Sequence, residues 1–423
     1  MINHTGNNLI FLLCVPRSGS SLTTTMLQNH SKVFATQEMW FLMSLHDLRI
    51  PKPRPYGGTV ILDRFFNGML PDPMFEQACR TFAMEAYNGL LRTSGAQMAV
   101  DKSPRYYYML EFLDKLFPLS QRIWLIRNPL AVLSSYKKIN HHAESRFSMN
   151  ITEDLLSPKF NISIADITIG LFRYYHYFAG NNPYTYRLHY ERLVSKPKEE
   201  MEKLCAFLGI RYENGMKKYG DQAHTTKGTM FTSMGVGDPF ISNHTEPHTD
   251  SINSWKEVLD KKEVEMYCRV LGARIFHDLG YSEQLAEAEK WTGIRFEMEP
   301  DMDLIQLRST QLKELTGCKW EEHYQIKTEL NDAQPFFKKN DDRMEKANLR
   351  ETEHMVNPEV LQLQITLRSL EKRLEMSYNE QKRLSRELSQ TRHKIDRIKS
   401  LIPFSHYLSN WASAYLLHGG RKK

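Results

Sequence analysis

Leu9-Ile10-Phe11-Leu12-Leu13-Cys14-Val15-Pro16-Arg17-Ser18-Gly19-Ser20-Ser21-Leu22 is the stretch that decides the fold of this 423-residue chain. The run Leu9–Val15 is apolar throughout, with no polar alternation. It therefore reads as a strand covered on both faces, the central strand of a parallel sheet, and Pro16 closes it. Ser20 to Gln28 follows with hydroxyls at its start and Asn29 near its end, which predicts a helix. A strand, a glycine-containing loop and a helix in this order aim backbone N–H groups at an anion. The loop is not a Walker A loop, because Gly-Lys-Ser/Thr is missing and Arg17 is its strong cation. Taken alone, it reads equally well as an ordinary Ser/Gly-rich turn.

Working outward, Gln97–Asp101, Arg122–Ile126 and Tyr184–Tyr190 read as further strands. Ala131–Lys138 and Lys198–Leu208 read as helices, the second stopped by Gly209. Strands alternating with helices predict an α/β fold: a P-loop-like three-layer domain with a central parallel sheet. Arg127 directly follows an apolar strand, with Ser134 and Ser135 in the next helix. An arginine and a hydroxyl so placed can grip a phosphate. Alone, they also read as a surface arginine and a helical serine.

The composition, 41% hydrophobic and 25% charged, is enough for a sizeable core. The net charge of +6 is mild; it does not point to nucleic acid and suits an anionic cofactor or acceptor. Cys14, Cys79, Cys205, Cys268 and Cys318 are scattered, odd in number and without a C-x-x-C, so neither a disulfide framework nor a zinc site is expected. No metal-ligand cluster is read; the adjacent His141 and His142 point in different directions on a helix. The apolar run at Leu9 is too short to span a bilayer and lacks a basic flank, so a cytoplasmic protein is expected. The sequons at Asn3, Asn150, Asn161 and Asn243 are then chance matches.

From Leu285 the chain turns polar and helical. From Val360 a seam appears: Val360, Leu363, Leu367, Leu370, Leu374, Ser377, Gln381, Leu384, Leu388, Thr391, Ile395, Ile398 and Ile402. Alternating three and four is the coiled-coil repeat. A C-terminal helical coiled-coil extension and a homo-oligomer are expected, with a single amphipathic helix packed on its own domain as the competing reading. The apolar and aromatic stretch 401–417, ending in Arg421-Lys422-Lys423, suits either peripheral contact with an anionic membrane or docking on the domain.

Together, in order, the loop and the Arg127–Ser135 element resemble the sulfotransferases that use 3'-phosphoadenosine-5'-phosphosulfate (PAPS). The likeness continues in Asp101-Lys102-Ser103-Pro104, in Leu188-His189-Tyr190-Glu191-Arg192-Leu193-Val194 with Phe207-Leu208-Gly209, and in Ser254-Trp255-Lys256 with Leu279-Gly280-Tyr281. It covers Leu9 to Ser282, and Pro-Arg-Ser-Gly is closest to the tyrosylprotein and glycan branch. The expected layout is a sulfotransferase domain at 1–284, a helical linker region at 285–357, a coiled coil at 358–402 and an amphipathic tail at 403–423.

The resemblance implies that Arg17, Ser18, Gly19, Ser20 and Ser21 cradle the 5'-phosphosulfate. Arg127 and Ser135 would bind the 3'-phosphate, Tyr190 would lie near the cofactor, and Asn253 to Lys256 would close over it. Lys227-Gly228 resembles a phosphate-binding pair of cytosolic relatives, but it stands outside the expected context and is not assigned. Glu38 would be the general base, with Lys102 and Arg17 stabilising charge. A helix running away from the loop for about 15 Å and an extended Ser31–Gln37 returning about 23 Å let Glu38 reach the acceptor side. The competing readings are a Glu38 that merely precedes the helix at Trp40-Phe41-Leu42 and a solvent-facing Lys102.

The implied reaction is in-line sulfuryl transfer to an acceptor hydroxyl without a metal. A saccharide acceptor is expected; a tyrosine or a small metabolite remains open. The insertions Pro51–Gly58 and His141–Ile164 are expected to shape the acceptor site. A P-loop kinase is disfavoured by the missing loop lysine and the absence of a clear magnesium-binding aspartate. A coiled-coil interaction protein with a nucleotide-binding domain is disfavoured by the intact Arg17, Glu38, Lys102 and Arg127.

Overall fold

The computed structural model describes residues 1–3, 6–142, 150–157, 159–218, 225–233 and 245–328, and, within 367–395, residues 367, 370, 374, 377, 378 and 380–395. The chain divides into two compact units, Met1–Gln362 and Leu363–Lys423.

In the first unit five strands form one parallel sheet: β1 (Leu9–Leu13), β2 (Val33–Ala35), β3 (Met98–Lys102), β4 (Gln121–Ile126) and β5 (Thr185–His189), in the order β2-β3-β1-β4-β5. The unbroken apolar run does sit at the centre, with every β1 side chain buried. Its even-numbered residues Ile10, Leu12 and Cys14 pack with Met26 and Leu27 of the helix Ser20–Gln28 and with Met201 and Leu204 of the helix Pro197–Phe207. Phe11 points the other way, onto Tyr106 and Phe117. Period-two alternation thus gives the sheet two buried faces and the domain three layers.

The helix Ser20–Gln28 has the predicted bounds, and the other predicted elements shift by one to four residues at their ends. The 23-residue helix Asp72–Ser94 and the three-residue β2 carried no decisive pattern. The buried stripe of that helix includes Glu76, Arg80 and Asn88, which hides its inner face from a hydropathy reading.

Strand order reverses at β1. The first crossovers place β3 and β2 on one side of it, and the next places β4 on the other. The loops leaving the carboxyl ends of β1 and β4 therefore diverge and leave a crevice between them, the usual ligand position in such sheets. Arg17 leaves from one strand and Arg127 from the other.

Residues past 284 are fastened to the same unit. Arg308 is buried and donates to the carbonyls of Asp154, Leu155, Ser157 and Lys159 at 2.6–3.0 Å. Asp114, ion-paired to the buried Arg122 at 2.8 Å, also accepts from the Tyr324 hydroxyl at 3.0 Å and the Lys327 N–H at 2.9 Å. In the second unit residues 380–395 are helical, with Leu384, Leu388 and Ile395 exposed. Residues 329–357, the seam positions Val360, Leu363, Ile398 and Ile402, the tail 403–423 and the Asn243 sequon lie outside the described residues.

Asp101 lies in β3 beside the central strand, opposite Phe11, and accepts from the hydroxyls of Tyr87 and Tyr106. Burial raises its carboxyl from 3.8 to about 6, against the pull of both tyrosines and Lys102. A carboxyl raised on folding keeps its proton in the native state where the unfolded chain has lost it. Its contribution to stability is therefore full below about pH 4 and lost by about pH 6, a change of about 3 kcal/mol. Urea unfolding across this window should show the stability advantage of Asp101→Asn over the wild type growing as pH rises. A difference independent of pH would contradict the assignment.

Candidate active site

The loop after β1 turns through two left-handed residues, Arg17 at φ 70° and Gly19 at φ 96°. At Gly19 a side chain has no room: a Cβ would lie 2.4 Å from Cδ2 of Tyr190. Tyr190, just past β5, therefore lies directly against the loop. On its ring rests the guanidinium of Arg127, 4.3 Å from the centroid. Arg127 Nη1 donates to the Arg17 carbonyl at 2.8 Å and Nη2 to the Ser251 carbonyl at 3.1 Å. Arg17 Nε donates to Ser135 Oγ at 3.2 Å. Arg17, Arg127, Ser135 and Tyr190 thus share one crevice.

Arg127 is 8% exposed and has no carboxylate within ion-pair distance among the described residues. Its Nε, and the buried hydroxyl of Ser18 in the loop, have no hydrogen-bond partner among the described residues. A buried cation without a counter-ion, next to orphaned donors, is costly unless an anion joins it. The nine-residue helix Ser20–Gln28 starts at the same loop, so its first N–H groups and its dipole add to that preference.

A second cluster lies at the carboxyl ends of β2 and β3. Lys102 is the last residue of β3 and is fully buried. Its Nζ donates to Glu38 Oε1 at 3.0 Å. Glu38 arrives there because β2 pairs with β3 and Thr36 N–H still bonds to the Val100 carbonyl at 2.8 Å. Glu38 Oε2 accepts from Trp40 Nε1 at 3.1 Å, and the glutamate side chain remains 33% exposed. Cys14 joins the clusters: its thiol is hydrogen-bonded to Ser20, feels the charges of Lys102 and Glu38, and is pushed up to about 12 by burial. The lysine is therefore an interior ion-pair partner, not a solvent-facing residue.

The segment around 251–256 reaches the crevice through Ser254, part of the sequence motif, and through Ser251, which the sequence did not single out. Ser251 Oγ hydrogen-bonds Tyr190 Oη at 2.7 Å, and Ser254 Oγ lies 3.5 Å from Ser134 Oγ. Lys256 ion-pairs with Glu287 at 2.8 Å, and Asn253 is exposed. Lys227 donates to the His30 carbonyl at 2.5 Å, beyond the far end of the helix Ser20–Gln28, and burial lowers its ammonium to about 8. Glu191 accepts from Asn128 N–H at 2.9 Å and Tyr281 Oη at 2.7 Å, so two of the sequence motifs meet as a brace behind Arg127.

A family model described as the sulfotransferase family matches residues 9–214, the stretch that holds both clusters. Over those residues the chain belongs to the sulfotransferase family. It is 26% identical to the nodulation protein NoeE of Sinorhizobium fredii (strain NBRC 101917 / NGR234) over 301 residues, 66% of this chain and 67% of that protein. It is 28% identical to a putative protein-tyrosine sulfotransferase of Caenorhabditis briggsae over 211 residues, 49% of this chain and 68% of that protein. Among solved structures, the sulfotransferase domain from the curacin biosynthetic pathway is similar at TM-score 0.43 and 20% identity, covering 65% of this chain and 98% of that one. Among the described residues of this sulfotransferase, no helix is long and apolar enough to cross a membrane.

Gly19→Ala combines a left-handed backbone, a cost of about 1–2 kcal/mol for a residue with a Cβ, with a clash against the Tyr190 ring. Urea unfolding should place the variant at least that far below the wild type. An unchanged midpoint would show that the ring does not rest on the loop.

Proposed function

We propose that this sulfotransferase uses PAPS as donor and delivers its sulfuryl group to an acceptor hydroxyl, on a saccharide in our reading, with Glu38 as general base. The observation that carries this is the pairing of two unlike clusters around one loop: an unneutralised, buried Arg127 on the β4 side and a neutralised Lys102–Glu38 pair on the β3 side.

The residues present fit the donor. Arg127, with its orphaned Nε, and Ser135 would hold the 3'-phosphate. Arg17, Ser18, Ser20, Ser21 and the loop backbone at Gly19 would hold the 5'-phosphosulfate, giving the orphaned Ser18 hydroxyl a partner. Tyr190 fixes Arg127 from beneath. PAPS, when bound, supplies a sulfuryl group activated by attachment to a phosphate.

The chain's own residues do the rest. Glu38 takes the acceptor's proton, and Lys102 keeps that carboxylate oriented while presenting positive charge from a dry site. Arg17 and the loop N–H groups stabilise charge on the donor side. A tyrosine hydroxyl is the second reading, supported by the likeness to the Caenorhabditis briggsae protein. The exposed Leu384, Leu388 and Ile395 fit association with a second copy through the C-terminal helix; light scattering of the full chain at the mass of one copy would contradict that.

Glu38→Gln should lower turnover by about 10²–10⁴-fold while leaving affinity for the product nucleotide, 3'-phosphoadenosine-5'-phosphate (PAP), within about threefold. Wild-type turnover would reject the base. Arg127→Ala should weaken PAP by about 10–100-fold, the range for a lost charge-assisted bond. Calorimetry on variants with native circular dichroism reads both, and unchanged PAP affinity in Arg127→Ala would reject its role.

A further inference from the structure

Around Trp40, which bonds to Glu38, the fold forms an open-mouthed cavity of about 250 Å³ whose lining also includes Asp47, Lys52, Arg105, Tyr108 and Thr316. Pockets for drug-sized molecules run from about 300 Å³ upward, so this one admits a single ring and not a chain. Both insertions expected to shape the acceptor site contribute a residue to it, Lys52 and Ile162.

Trp40 connects the cavity to the chemistry. Its indole N–H donates to Glu38 Oε2 at 3.1 Å, so the aromatic lining is bonded directly to the proposed base. The residue sits at φ 59°, a left-handed conformation that a bulky side chain adopts only when its surroundings impose it. Arg105 lies over the Trp40 ring, 5.6 Å from the centroid, and is itself fixed by a two-pronged bond to the buried Asp166 at 2.8–3.2 Å. With the guanidinium over it, the tryptophan still remains 36% exposed. The cavity's rim is polar: Asp47 pairs with Lys52 and faces His46 at 3.8 Å.

Leu315, Thr316 and Cys318, outside the family match at 9–214, also line the cavity. This segment is fixed in place. Gly317 is left-handed at φ 69°, and a Cβ there would meet Ile50 Cγ2 at 2.8 Å. Trp320 Nε1 donates to the Tyr108 carbonyl at 2.8 Å, and Arg173 lies 4.8 Å from the Trp320 ring centroid.

We propose that this cavity is the acceptor subsite and that it holds one saccharide ring against Trp40, its polar rim pairing the hydroxyls that are not transferred. This rests on the transfer reading above. A ring with many hydroxyls satisfies both the donors and the acceptors of the rim. A phenol would bring one hydroxyl, directed at Glu38, and offer no further hydrogen-bonding group to the rim at Asp47, Lys52 and Arg105. The segment 315–318 then sets acceptor choice from beyond the family's shared core.

The test uses the full chain, sulfur-labelled PAPS and three acceptor sets: hexosides and N-acetylhexosaminides, simple phenols, and a tyrosine peptide. Transfer to a glycoside is expected. Trp40→Ala should raise the glycoside KM about tenfold, the worth of one aromatic contact, and Trp40→Phe should keep it within about threefold. Thr316→Trp, which fills the cavity from a lining residue with no bond to Glu38 or Lys102, should raise KM about tenfold with kcat within about threefold. PAP affinity should not change in any of the three. Wild-type transfer only to phenols or peptide, or to none of the three sets, overturns the saccharide assignment. Unchanged KM in both Trp40→Ala and Thr316→Trp overturns the subsite while leaving the transfer reading in place. A wild-type chain that fails to bind PAP instead removes the reading beneath it.

Discussion

The guanidinium of Arg127 is the point on which the site depends. It ties the loop after β1 to the segment at Ser251 through two backbone carbonyls, and it rests on the ring of Tyr190. Three stretches distant in sequence are thereby drawn to the crevice where the strand order reverses. Carbonyl dipoles and a ring face offset only part of the cost of burying a cation. The fold leaves the remainder to an anion, and Gly19 is the residue that lets the loop come close enough for this arrangement.

Across the loop the electrostatics are of the opposite kind. Lys102 is deeper than Arg127, yet its charge is balanced by Glu38. A buried ion pair is weak support for stability, since desolvation offsets much of the attraction. Its value lies in orientation: one carboxylate oxygen is fixed by a lysine and the other by an indole N–H. The domain thus sets an unneutralised buried arginine on one side of the loop and a carboxylate held at both oxygens on the other. Leu315, Thr316 and Cys318 line the cavity that also holds Trp40, the indole partner of that carboxylate.

Much of this was legible in the sequence where one strong local cause dominates. The strand at Leu9 is apolar without interruption, and Gly19 followed by two serines starts a helix, so both appear with little ambiguity. Glu38 and Lys102 were reachable because short strands return the chain to the same edge of the sheet. Ser251 was not, because its position follows from a tertiary contact with Tyr190 and leaves no periodic trace. The role of Trp40 was hidden for a related reason: before a helix, a tryptophan reads as a packing residue. Residues 302–328 looked like a polar linker because their anchors are Arg308, Trp320 and Tyr324, whose polar ends bond to backbone and carboxylate groups deep in the domain.

The most direct measurement compares nucleotides on the unmutated full chain. Calorimetric titration with PAP and with adenosine 5'-diphosphate, which lacks a phosphate at the 3' position, isolates the site at Arg127. The account predicts that PAP binds tighter by at least about tenfold, the worth of one charge-assisted contact, with the difference shrinking as salt is raised. Equal affinities at low salt would contradict it, since the unpaired guanidinium would then have no anion to hold.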